Sequence, residues 1–362
     1  MAESGTMRAP ARELSQAADV LMWRGESALP TLWRDDYTDH LAARLDALCA
    51  SDEDGVIPEA LALMPKPARG PFLRAHSVAA ELLKPASARI DAGWIAKALM
   101  AELAHVGVVG QLEETLWTAN GDRSFGPGAA QAGRGSLDAL PGAQIRLDIA
   151  SPFDFGFSKV SNLTHLSEPE IQVVAGKIFA AADYMRVATP STLAFCDDCV
   201  SVVAVRKAVE AKGNFSSGTF ARHAGMMLLG FGDPANVDVA QLADALTHEA
   251  IHSFMFMFEE AHGKFVGPEI FGEVVRSPWT GNTLRLDAYV HACTVWYGLY
   301  WLWTQAQATE AAPAERREAL RSKALSGFAD RPVTQGLAPV LDRLSPPIAV
   351  LLCEMEDRMA HL

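Results

Sequence analysis

Apolar residues recur every three or four positions through the first 120 residues, as in ELSQAADVLMWRG, YTDHLAARLDALCAS and ARIDAGWIAKALMAELAHVG. That spacing predicts amphipathic helices, separated by Pro- and Gly-containing breaks such as LMPKPARGP. From about 120 to 142 the periodicity lapses into NGDRSFGPGAAQAGRGSLDALPG, whose Gly and Ser content marks a loop. AQIRLDIASPFDFGF then reads as a short strand and an irregular aromatic turn, and EPEIQVVAGKIFAAADYMRVAT as a helix. CVSVVAVRKA and SGTFARHAGMMLLGFG are β-branched or apolar runs bounded by Gly and Asp, which predicts strands. Asp233-Pro234 ends them, and DVAQLADALTHEAIHSFMFMFEEAHG keeps helical period to about His262. A loop, GKFVGPEIFGEVVRSPWTGNT, leads to a second long helix, LRLDAYVHACTVWYGLYWLWTQAQA, and three shorter helical pieces follow Pro313.

This order predicts an α+β fold, predominantly α-helical, in which a small β-sheet precedes a His-bearing helix and a C-terminal helical bundle contains it. The Gly-rich stretch divides the chain into a helical N-terminal region, 1–142, and a second region, 143–362. Gly133-Arg134-Gly135 does not read as a phosphate loop, because no apolar strand leads into it.

Charge narrows the partners. A net charge of −13 repels a phosphate backbone or an anionic lipid surface, so neither nucleic acid nor membrane is expected. The longest apolar stretch, YVHACTVWYGLYWLW, is too short for a bilayer and carries His291. The N-terminus lacks the basic-then-apolar order of a signal peptide. Five cysteines, Cys49, Cys196, Cys199, Cys293 and Cys353, suit reduced thiols, and a cytoplasmic protein is expected. Cys196-Asp197-Asp198-Cys199 has no second CxxC to pair with and reads as a hairpin turn between two incidental thiols.

The chemistry concentrates at His248-Glu249-Ala250-Ile251-His252. Positions i and i+4 of a helix share a face one turn apart, so two imidazoles spaced in this way can converge on one ion. Apolar residues Phe254 to Phe258 follow, and buried imidazoles in such surroundings need partners that a divalent cation supplies. For a third ligand the chain offers His291, in the middle of an apolar helix, with Glu273 and Asp287 as alternatives. Asp287, four residues before His291, is placed either to orient that imidazole or to ligate directly. Two histidines with a carboxylate from Glu273 describe a zinc peptidase in which Glu249 is the general base on a Zn(II)-bound water.

The stretch RSPWTGNTLRLDAYVHACTVWYGLYWLW resembles the C-terminal signature of the HExxH peptide β-hydroxylases, which use Fe(II), 2-oxoglutarate and O2 to modify ribosomally made peptides. Pro278-Trp279, His291 and the aromatics Trp296, Tyr297, Tyr300, Trp301 and Trp303 follow the HExxH helix in the same order and at similar spacing. The resemblance covers residues 245–310. It implies iron held by His248, His252 and His291, Glu249 in a catalytic or ordering role, and hydroxylation of a side-chain carbon. The peptide, with a possible leader segment, would meet the N-terminal helical region.

Thr280 stands where that family has an arginine, Leu284 and Arg285 replace an Arg-Pro pair, and Ala292 replaces a glycine. The cation for the distal carboxylate of 2-oxoglutarate is therefore expected at Arg285, with Arg276 second, since a guanidinium matches a carboxylate bidentately. A third reading is a metal-binding partner in peptide modification with no turnover of its own, and the displaced Arg285 is the feature that supports it.

Overall fold

A computed structural model describes residues 10–52, 55–129, 135–151, 163–208 and 215–362. The chain is α+β and predominantly helical, with thirteen helices and a small mixed sheet among these residues. The N-terminal helices are α1 (Pro10–Val20), α2 (Leu29–Cys49), α3 (Val56–Leu63), α4 (Lys66–Arg74), α5 (His76–Leu82) and α6 (Ala92–His105). Two helices, α7 (Glu168–Ala188) and α8 (Pro190–Cys199), precede the central strands. Then come α9 (Val239–His262), α10 (Leu286–Gln305), α11 (Ala314–Asp330), α12 (Val333–Leu337) and α13 (Pro346–Ala360). None is long and apolar enough to cross a membrane among the described residues.

The main sheet has the order β3-β4-β6-β8-β7, with β5 pairing β6. Its strands are β3 (Ser136–Ala139), β4 (Arg146–Asp148), β5 (Leu163–Thr164), β6 (Val202–Ala208), β7 (Phe215–Thr219) and β8 (Met226–Phe231). Strands β4, β6 and β8 are parallel, and β7 runs antiparallel to β8 with Ser217 opposite Leu229. The central strands are apolar on both faces because both faces are covered. Val203, Val205, Met227 and Leu229 join the main core, whereas Val202, Ala204, Met226 and Leu228 form a small cluster with Leu163. Strand β7 is the polar edge, and it lies along α9.

Local chemistry fixes the two long helices. Asp238 caps α9 by accepting the Gln241 N–H at 2.6 Å, and Gly263, with φ of 107°, ends it. Helix α10 starts directly from a hairpin, β9 (Val274–Arg276) with β10 (Thr283–Arg285), whose turn uses Gly281 at φ of 71°. The two helices pack so closely that a Cβ at Gly298 would lie 2.6 Å from Ile251 Cδ1. Across the other side of α9, Trp33 of α2 stacks on Phe254 with ring centroids 3.9 Å apart.

Three local expectations are corrected. Cys196 to Cys199 form the last turn of α8, not a hairpin, because Pro190 starts a helix whose Leu193 and Phe195 are buried. Both thiols are inside, the two aspartates face partners at the surface (Asp198 to Arg34 at 2.8 Å), and burial pushes the Cys196 thiol up to about 12. The 120–142 stretch contains β2 (Ser124–Phe125), paired with β1 (Leu116–Trp117), and β3. The 263–283 stretch likewise holds β9 and the turn of the β9–β10 hairpin, and β10 takes Leu284 and Arg285 from the expected helix start; pairings this short leave almost no alternation to read. The expected aromatic turn after Ser151, and Gly133-Arg134, lie outside the described residues.

Candidate functional site

Helix α9 presents Asp244, His248 and His252 at successive i, i+4 steps, and α10 crosses it with His291. The His248 and His252 rings are 5.1 Å apart between centroids. His252 and His291 lie 5.4 Å apart and nearly parallel, at 17°, with Nδ1 facing Nδ1 at 3.2 Å. Two nitrogens at roughly 2.0–2.1 Å from one tetrahedral ion would be separated by about this distance.

The pair is closed in by Phe256, 4.5 Å from the His291 ring, and by Phe265 at 6.0 Å. His291 is buried, and its Nε2 lies 3.4 Å from Glu259 Oε2, a close approach not aligned as a hydrogen bond. Glu259 is itself buried and accepts the Phe265 N–H at 3.1 Å. Burial raises the Glu259 carboxyl, yet His291, Lys264 and the Phe265 N–H together carry it below the usual range. An ionised carboxylate behind an imidazole fixes its orientation and leaves the opposite ring nitrogen for a ligand. For His291 that nitrogen is Nδ1, facing His252.

Burial, helped by the charge of Lys323, lowers His248 to about 4; burial, followed by the neighbouring His248, lowers His252 to about 3. Both imidazoles are therefore neutral at neutral pH, the form that ligates metals. The Glu249 carboxylate is engaged by the edge strand. Ser217 Oγ on β7 donates to its Oε1 at 2.6 Å, Thr219 Oγ1 donates to its carbonyl at 3.3 Å, and burial raises its carboxyl. Glu249 Oε1 is 3.9 Å from His248 Nε2, and Glu249 Oε2 is buried without a hydrogen bond.

The donor chemistry suits a transition metal: three adjacent imidazoles, one backed by a carboxylate, in apolar walls. As placed, two of the three meet. Among the described residues no three His, Cys, Asp or Glu side chains have their ligating atoms gathered around one point.

Asp287 does not orient His291. It sits in the first turn of α10 and is drawn to Arg285, whose Nη2 is 2.7 Å from Asp287 Oδ2 and whose guanidinium lies 4.6 Å over the Phe271 ring. Arg285 closes strand β10, directly ahead of the first residue of α10. Arg276 is exposed on β9, where its carbonyl accepts from Arg331 Nη2. Glu273 is exposed at the foot of the same hairpin, its carbonyl accepting the Leu286 N–H.

Two groups, Glu259 and Ser217, are not among those the sequence singles out. Glu259 is seven residues after His252, two turns along the same face, so helical spacing alone could have found it. Ser217 could not be found that way, because its partner comes from a strand. Trp279 stacks on Trp296 at 5.8 Å, donates its Nε1–H to the Ala324 carbonyl at 2.8 Å and so ties α11 to α10. Trp296 in turn lies edge-on to His248 at 6.3 Å. His248 also borders a cavity of about 450 Å³ that α11 helps to wall. No protein-family model matches this chain, and no curated protein matches it.

Proposed function

We propose that this protein is an Fe(II)- and 2-oxoglutarate-dependent oxygenase that hydroxylates a side-chain carbon, with the β carbon as the expected position, of a ribosomally made peptide. The observation that carries the reading is the 3.2 Å approach of His252 Nδ1 to His291 Nδ1, which joins the HExxH helix to the Trp-rich helix at ligand separation. His248, His252 and His291 would hold the ion, and Glu259 would keep the third imidazole oriented. Bound there with 2-oxoglutarate and O2, iron supplies the oxidising chemistry. The chain's own residues exclude water and position the groups: Phe256 and Phe265 cover His291, and Ser217 holds the Glu249 carboxylate against β7.

A zinc peptidase remains the second reading, and the surroundings of Glu249 favour the first. A general base must reach a metal-bound water. Here the carboxylate is buried and engaged by the edge strand, which suits a positioning role better. The experiment is anaerobic purification, metal analysis, and measurement of succinate formed from 2-oxoglutarate with and without peptide. Iron with succinate is the expected result. Zinc with peptide cleavage would transfer the site to the peptidase reading, and a bound metal without either product would leave a binding partner.

A further inference from the structure

Of the two arginines the sequence singles out, Arg285 is engaged by Asp287 and the Phe271 face, and Arg276 is exposed on the β9–β10 hairpin and does not line the cavity at His248. A different cation stands beside the histidines. The 450 Å³ cavity at His248 is walled by Phe215 and Ser217 of β7, by α9, and by Arg316, Leu320 and Lys323 of α11. Its size is that of a small-molecule site. Of its two cations, Arg316 is neutralised by Asp238 at 2.9 Å. Lys323 has no ion-pair partner among the described residues; its Nζ lies 5.2 Å over the ring of Trp296, the residue that also flanks His248. Asp244, the cavity's carboxylate, is occupied in accepting the Trp303 Nε1–H at 2.6 Å, and burial raises its carboxyl to about 6. The cavity thus combines the Lys323 ammonium, which has no carboxylate within ion-pair distance among the described residues, the His248 imidazole and apolar walls from Phe215 and Leu320.

We propose that Lys323 anchors the distal carboxylate of 2-oxoglutarate in this cavity, with the 2-oxo acid end directed to His248. This rests on the Fe(II)/2-oxoglutarate reading above. It places the co-substrate anchor on α11, outside the stretch that carries the family resemblance, and it gives the stacked Trp279 and Trp296 a purpose: they hold α11, and hence Lys323, against the histidine helix.

The test is anaerobic calorimetric titration of the full-length Fe(II)-loaded protein with 2-oxoglutarate and with pyruvate, which has the same 2-oxo acid head but no distal carboxylate. The parent protein is expected to bind 2-oxoglutarate more tightly. Lys323→Met should weaken 2-oxoglutarate about tenfold to a hundredfold, the range of a charge-assisted contact, and leave pyruvate unchanged. Lys323→Arg should recover most of the loss. Lys323 is exposed, so folding is not at risk. Preference retained in Lys323→Met, or abolished instead by Arg285→Met, would overturn the anchor while leaving the function standing. A parent protein that binds neither oxo acid would bring down the functional reading and the anchor together.

Discussion

At the scale of single residues the site is a question of where carboxylates stand. Glu259 sits behind His291, and Glu249 sits against Ser217. These give the two glutamates different expected phenotypes. Glu259→Gln removes the charge that orients His291 and should weaken metal binding by about tenfold to a hundredfold, read from a competition titration with a chelator. Ser217→Ala should act on Glu249 alone, costing about 1–3 kcal/mol for a buried carboxylate left without its hydroxyl partner, with metal affinity little changed. Urea unfolding and the same chelator titration separate the two. A Glu259→Gln protein that holds metal as tightly as its parent would mean that the 3.4 Å contact does not orient the ring. The histidines were legible in the sequence because i, i+4 spacing on one helix is local information. For His291 the sequence offers Asp287, since spacing along α10 says nothing about Glu259 arriving from a crossing helix, nor about Arg285 pairing with Asp287.

At the scale of elements the arrangement depends on how α9, α10 and α11 are clamped. Gly327 of α11 is where Trp279 enters: a Cβ there would lie 2.3 Å from Trp279 Cε2, and an indole fixed by its Ala324 hydrogen bond cannot yield as a flexible chain end would. Gly327→Ala should therefore destabilise the protein by about 1–3 kcal/mol despite the better helix propensity of alanine, measured by urea unfolding. If the variant is as stable as the parent, the Trp279 wedge is not what holds α11. The long helices were legible from their apolar period, which carries α9 to His262. The hairpins were not, for β9 and β10 are three residues each and their pairing is set by the turn around Gly281 and by the Trp279 dock, which only the folded chain brings together.

At the scale of the whole molecule, folding must bury histidines that the unfolded chain leaves in water. His76 is pushed down to about 3, by burial first and then by His223 and Arg206, and burial lowers His223 to about 4. An unfolded histidine titrates near 6.5. Below that pH the unfolded chain takes up protons that the folded one refuses, so the stabilisation is complete above roughly pH 6.5 and is lost as pH falls toward the folded values. His76→Asn should reduce the fall in unfolding free energy between pH 6 and 4.5 by roughly 1.4 kcal/mol per pH unit; an unchanged slope would show that His76 already exchanges its proton in the folded state. The fold class was legible as a whole because apolar period distinguishes helices from the doubly covered strands β6 and β8. What brings the site together was not, because it depends on one edge strand and two helix crossings, each a contact between distant segments. The account turns on whether imidazoles from α9 and α10 share one ion. Metal stoichiometry after anaerobic loading and desalting, compared between the parent protein, His252→Ala and His291→Ala, addresses this most directly: one ion per parent chain and near-complete loss in both variants is the predicted result, and a His291→Ala protein that keeps its ion would contradict it.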